Sequence, residues 1–303
     1  VLRKTTTGWS YSFPAALDRK SNYTFMSNHR DIVLDSAFLC VFLLKAGFST
    51  TVEIAIGDNL LIYPWIKTLV RMNKAFTVNR GLTPKEMLKS SIHMSQYMHY
   101  VINDKHDNIW IAQREGRAKD SDDRTQESVL KMLNMGGPMP GKTTAEIIEN
   151  LRNMNIVPLA ISYEYDPCDY LKAKEFQCKR DIPGWKKAKQ DDLDNMKTGI
   201  WGKKGHVHYQ ASACINDWLD TLDPTAIDKA DIYRLVAEHI DHEIHANYKI
   251  YDVNRDALAG KENEYVESRV RMVDVEQPDV PFLREKIMTM YANPLRNHEK
   301  AVQ

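Results

Sequence analysis

Residues 22–44 read NYTFMSNHRDIVLDSAFLCVFLL, and three kinds of segment follow one another within them. Residues 22–28 have strand character, and from Ile32 to Leu44 the chain is apolar on every side. An apolar run of that kind is a helix that is either buried or laid against a membrane surface. Between strand and helix stands a short polar turn holding His29, Arg30 and Asp31, with Asp35 following three aliphatic residues.

The same alternation continues outward. Residues 51–57 (TVEIAIG) and 74–79 (KAFTVN) are short β-branched or aromatic runs closed by Gly or a polar turn. Thr83-Pro84-Lys85-Glu86 is a capping box with Pro at the first helical position. Residues 108–113 (NIWIAQ) and 155–163 (NIVPLAISY) are two further strands, separated by helices, one of them capped by Thr143 with Glu146. Strands alternating with helices predict an α/β fold, a mixed, largely parallel sheet flanked by helices. Residues 198–210 (TGIWGKKGHVHYQ) read as two short strands in a hairpin about Lys203-Lys204-Gly205. From Asp231 the chain is mostly helical and polar, a C-terminal helical tail.

With 303 residues, 43% of them hydrophobic, the chain can bury a sizeable core. Lysines and arginines equal aspartates and glutamates at 41 each, so there is no cationic surplus for a phosphate backbone, which argues against nucleic acid as the partner. The four cysteines (Cys40, Cys168, Cys178, Cys214) have neither CxxC nor metal-ligand spacing and read as free thiols of a reducing compartment. No signal-peptide pattern opens the sequence, and the longest apolar stretch, residues 37–44, is far below the roughly 18–20 residues that span a bilayer.

Three motifs compete for the chemistry. His29-Arg30-Asp31 has the order of a protein-kinase catalytic loop, but that loop carries Asn five residues after its Asp, where this chain has Ser36. Residues 136–143 (GGPMPGKT) match the P-loop pattern of a phosphotransferase. Pro138 and Pro140 remove two of the N–H donors such a loop needs, and the segment before it has helical spacing where a P-loop requires a strand. The third candidate is distributed: His29 with Asp35, then Phe76 to Arg80 at a strand end, Glu115-Gly116-Arg117 after a strand, and Val157-Pro158-Leu159 within one. His239, His242 and His245 recur every third residue, but by the third the helix face has turned away, and they read as a polar helix surface, not a metal site.

The order of the distributed blocks resembles the glycerolipid acyltransferase superfamily, which joins His and Asp in its first block, ends a Phe-containing strand in Arg, follows with Glu-Gly-x-Arg and then an apolar strand with Pro. The likeness spans about two-thirds of the chain and includes GHVHYQ as a late strand. Five residues separate His29 from Asp35 where most members have four, and no residue separates Gly116 from Arg117. Ornithine-lipid acyltransferases share the longer spacing, so an amino-lipid acceptor is an alternative, as is a non-catalytic lipid-binding relative. The resemblance implies a glycerol-3-phosphate acyltransferase-like domain over residues 1–255 with a helical extension, 256–303, packed on it. It implies His29 and Asp35 as catalytic residues, and Arg80, Glu115, Gly116, Arg117 and Lys119 as contacts to the acceptor. An acyl thioester of CoA or of acyl carrier protein is the donor, and a phosphorylated glycerol or a lysophospholipid the acceptor. No cofactor and no metal is called for. The work is expected at an anionic membrane surface, peripherally, on the cytoplasmic side, and Lys186, Lys187, Lys189, Lys203 and Lys204 with Trp185 and Trp201 suit such a surface.

Overall fold

The computed structural model describes residues 1–58, 68, 71–78 and 82–303. Within them lie seven strands: β1 (Gly8–Ser12), β2 (Thr24–Ser27), β3 (Val52–Gly57), β4 (Ala75–Val78), β5 (Asn108–Ala112), β6 (Ile156–Tyr163) and β7 (His206–Ala211). The helices are α1 (Leu2–Thr5), α2 (Leu34–Lys45), α3 (Pro84–Asn103), α4 (Glu127–Met135), α5 (Thr144–Arg152), α6 (Asp169–Asp181), α7 (Lys189–Trp201), α8 (Asn216–Leu219), α9 (Ile232–Ala246), α10 (Asp252–Leu258), α11 (Glu264–Val270) and α12 (Val280–Ala301). One sheet runs in the order β1-β7-β6-β2-β5-β3-β4. Every neighbouring pair is parallel except β6 with β7. The fold is therefore α/β with a mixed, mostly parallel sheet and a long C-terminal helix.

Successive side chains of a strand point to opposite faces. On β2, Phe25 enters one core and Met26 the other; on β5, Trp110 joins Phe25 while Ile109 and Ile111 join Met26. The first face is covered by α2 through Leu34, Phe38, Leu39, Phe42 and Leu43. The second is covered by α3, α4, α5 and α9, with Val101, Leu130, Ile147 and Ile240 among the contacts. Each such side chain contributes about 1.5–3 kcal/mol when fully buried. A third cluster joins Ala173 of α6 to α10, α11 and α12. The apolar run behind α2 is thus buried on most sides, with Val41 and Leu44 left exposed.

Two differences from the sequence reading stand out. Residues 198–201 do not form the first strand of a hairpin. They end α7, and β7 pairs with β1 and β6 instead of with residues 198–201. Gly205 takes a φ of +61° at the turn, where a Cβ would run into Glu164. The strand β1 was not expected, although Trp9, Tyr11 and Phe13 alternate with Ser10 and Ser12 at a strand's period of two. The capping boxes at Thr83 and Thr143 are both formed.

Candidate active site

Strands β2 to β6 run parallel, so their carboxyl ends line one edge of the sheet, where α/β folds place their binding sites. His29 comes two residues after β2 at this edge. Asn28 clamps the chain just before it: its carboxamide accepts from the Ile161 N–H (2.8 Å) and donates to the Ile161 carbonyl (2.9 Å). Asp31 supplies the helix entry. Its Oδ1 accepts the N–H groups of Val33 (2.9 Å) and Leu34 (2.8 Å), which the first turn of α2 leaves without partners. On the other side of that carboxylate sits Gly199 of α7, where a Cβ would fall 2.2 Å from Asp31 Oδ2. Burial and then the neighbouring Asp35 charge push the Asp31 carboxyl above its ordinary range, against the pull of those backbone N–H bonds.

Asp35, in the first turn of α2, is wholly buried and points back at the turn. Its Oδ2 accepts from the backbone N–H of Arg30 (2.6 Å) and of Asp31 (3.0 Å) and lies 2.8 Å from His29 Nδ1. Its Oδ1 accepts from the Tyr163 hydroxyl at 3.1 Å. A carboxylate ringed by donors is an acceptor only, so the shared proton is on His29 Nδ1 and Nε2 of the neutral ring carries the lone pair. Among the described residues nothing hydrogen-bonds Nε2. The ring stands edge-on to Trp110, centroids 5.4 Å apart, with 14% of the side chain exposed.

Arg30 turns the other way. Its guanidinium meets Asp123 at 2.8 Å and lies over the Tyr248 ring, whose hydroxyl donates to the same carboxylate at 3.0 Å. This buried pair ties the turn before α2 to the segment after β5 and to the chain just past α9. The sequence held no sign of it.

The remaining candidates divide. Arg117 is close enough for its charge to act on Asp31, which brings the third block beside the first. Its Nη2 donates to Asn195 of α7 (3.0 Å), and its buried Nη1 has no hydrogen-bond partner among the described residues. Glu115 and Gly116 form an exposed turn, with Gly116 at a φ of +68° and the Glu115 N–H on Gln126 (2.8 Å). Lys119 is not a freestanding charge: Glu175 of α6 engages its ammonium, and Lys179 pairs with that carboxylate too, at 2.9 Å. Arg80 lies outside the described residues. Gln113, just past β5, was missed by sequence reasoning; it is fully buried, and neither carboxamide atom has a partner among the described residues.

The P-loop match is built as a packing joint. Residues 136–143 join α4 to α5, and a Cβ on Gly136 would lie 2.2 Å from the Gln96 backbone of α3. The interior of the loop is filled by Asn150, which accepts from the Met139 N–H (2.9 Å) and donates to Asn134 Oδ1 (2.8 Å) and the Met139 carbonyl (3.0 Å). The glycines admit helices, and the space a phosphate would need holds a carboxamide.

Of the histidines of α9 only His242 lies on the exposed surface. His239 stacks on Trp218, ring centroids 3.9 Å apart, and buried His245 bonds the Asp123 carbonyl at 2.8 Å. Nor do all five lysines face solvent. Lys204 is fully buried, donating to the Gly202 carbonyl (2.8 Å) and Thr5 (3.3 Å), and Lys187 pairs with Asp192, whereas Lys186, Lys203 and Trp201 are exposed. The Lys189 side chain lies outside what the structure describes. No described helix is long and apolar enough to cross a membrane.

Neither a family model nor a curated protein matches the chain. Among solved structures it is similar to a 1-acyl-sn-glycerophosphate acyltransferase from Thermotoga maritima, with a TM-score of 0.38 and 12% identity, over 77% of this chain and 71% of that one. So slight a likeness settles neither fold nor function, and both rest on the residues themselves.

Proposed function

We propose that the protein is an acyltransferase that moves a fatty acyl group from a thioester to a hydroxyl of a glycerol phosphate or a lysophospholipid. The observation that carries this reading is the His29–Asp35 pair, with Nδ1 held at 2.8 Å and Nε2 left as a base at the carboxyl edge of the sheet. Nε2 takes the acceptor hydroxyl's proton as its oxygen bonds the thioester carbonyl carbon. The tetrahedral intermediate collapses with loss of the C–S bond, and the imidazolium returns the proton to the leaving thiolate. A positioned base of this kind contributes about 10²- to 10⁴-fold in rate. Asp35 fixes the tautomer and stabilises the imidazolium.

Arg117, whose buried Nη1 has no partner among the described residues, is the acceptor-phosphate contact we favour, and we assign Arg80 of the second block the same task. Glu115 and Gly116 form the turn that presents it. Lys119, engaged by Glu175, is set aside as a phosphate contact. The donor is acyl-CoA or acyl carrier protein. The exposed Trp201, Lys186 and Lys203 suit a peripheral contact with an anionic membrane, which we assign to the cytoplasmic side. A phosphotransferase is disfavoured because Asn150 fills the loop that would cradle phosphate.

Incubation with acyl-CoA and acyl carrier protein donors and with glycerol 3-phosphate, lysophosphatidate and lyso-ornithine as acceptors, read by lipid mass spectrometry, tests the reading. A new ester on a phosphorylated acceptor is the expected product. An amide on lyso-ornithine moves the acceptor to the amino-lipids, and no product with any pair ends the proposal.

A further inference from the structure

Two tyrosines from different strands reach Asp35, and they reach different parts of it. Tyr163, the last residue of β6, donates its hydroxyl to the carboxylate Oδ1 at 3.1 Å. Tyr209 of β7 donates to the backbone carbonyl of the same residue at 3.0 Å. Both rings are buried in the core beneath α2, Tyr163 beside Phe38 and Tyr209 edge-on to Phe42. Burial, together with the other phenol and the Asp35 charge, pushes the Tyr163 hydroxyl well above its ordinary range. It therefore remains an O–H, able to donate.

The division of the two carboxylate oxygens is what matters. Oδ2 faces the turn, taking two backbone N–H groups and His29 Nδ1; Oδ1 faces the core and, among the described residues, takes Tyr163 alone. Without a donor on Oδ1 the carboxylate is held through Oδ2 alone, and any turn about its Cβ–Cγ bond carries the His29 contact with it. A donor on Oδ1 fixes the plane of the carboxylate, hence the direction of the bond to Nδ1 and the aim of Nε2.

We infer that Tyr163 is a positioning residue of the His29–Asp35 pair, setting the carboxylate plane from the far side. The inference rests on the acyltransferase reading, and it assigns Tyr209 the different task of anchoring the helix backbone. Such a role acts on the reacting complex and not on substrate capture, so it belongs to kcat and not KM.

The test compares Tyr163→Phe with Tyr209→Phe in the full chain, using the donor and acceptor the unsubstituted protein accepts. Tyr163→Phe lowers kcat about 10- to 150-fold, the loss one hydrogen bond to a charged group supplies, with KM within about twofold. Tyr209→Phe stays within about threefold in kcat and shows its effect in the melting temperature. An unchanged kcat in Tyr163→Phe, or an equal fall in both variants, overturns the inference while leaving the acyltransferase reading standing. Absence of turnover in the unsubstituted protein defeats that reading instead. Should Tyr163→Phe not fold, 3-fluorotyrosine at position 163 keeps the ring and the O–H; activity retained there and lost with the O–H-less 4-fluorophenylalanine at the same position supports the inference, and equal activity in the two overturns it.

Discussion

The turn at residues 28–33 and the loop at residues 136–143 both lead into a helix, and both carry a sequence that matches a catalytic pattern. In the first, the groups around the histidine are held: Asn28 by the backbone of β6, Asp31 by the N–H groups of α2, Asp35 by four donors. His29 Nε2, at the carboxyl edge of the sheet, has no hydrogen-bond partner among the described residues. In the second, Asn150 closes the interior and the glycines serve helix contact. A motif can act on a substrate when it leaves a reactive atom unengaged within an otherwise fixed frame. Residue spacing alone does not report this; the occupancy of the neighbouring space does.

The largest effect should come from opening the first frame. His29→Ala and Asp35→Asn are each expected to lower acyl transfer by about 10²- to 10⁴-fold while circular dichroism and melting report a folded chain. The double variant should fall little further, since the two act as one unit. Retained turnover in either single variant would remove this turn from the chemistry.

Breaking the second frame should cost stability and not catalysis. Asn150→Ala leaves the Met139 N–H without its side-chain partner and is expected to lower unfolding free energy by roughly 1–3 kcal/mol in urea. Turnover per folded molecule should stay within about twofold. A folded Asn150→Ala protein that loses turnover would show the two loops to be coupled.

A third measurement sharpens the contrast through pH. Burial pushes His245 down to about 4, so the folded protein holds it neutral while the unfolded chain titrates near its ordinary value. A depressed folded pKa contributes stability above about 6.5 that is lost as pH falls toward 4, roughly 2 kcal/mol by pH 5. Neighbouring Asp241, pushed up to about 6 by burial, works in the opposite sense over the same range. His245→Gln should therefore flatten or reverse the loss of stability between pH 7 and pH 5 in urea titrations. An unchanged slope would place the acid sensitivity elsewhere.

The smallest effect is the expected silence of Lys142→Ala. The side chain is exposed beside a loop already filled, so acyl transfer should stay within about twofold and equilibrium dialysis should detect no ATP binding in either form. Micromolar ATP binding abolished by the substitution would reverse the comparison.

What the sequence disclosed was what neighbouring residues impose on one another. The strand at Phe25 and Met26, the helix behind Leu34 and the caps at Thr83 and Thr143 all depend on residues within a few positions. The pairing of His29 with Asp35 falls in the same class. Tyr163 is 128 residues from Asp35, and Asp123 lies far along the chain from Arg30, so no local pattern connects them. The hairpin at residues 198–210 failed for a related reason: a strand shows in sequence, its partner does not. Lys204 shows the limit for charge, because a lysine's letter does not tell whether a carbonyl or water will meet it.

The pairing of β1 with β7 has a bearing on how the chain is made. Ser10 and His208 lie side by side in the finished sheet yet are 198 residues apart in sequence. At about 5–20 residues per second, a ribosome takes roughly 10–40 s to cover that interval. Throughout it Trp9 and Tyr11 have no β7 to settle against, and the antiparallel β6–β7 pair cannot exist either. β1, made before the other six described strands, is thus among the last of them to find its place, and its aromatic residues are open to a chaperone's shelter in the meantime.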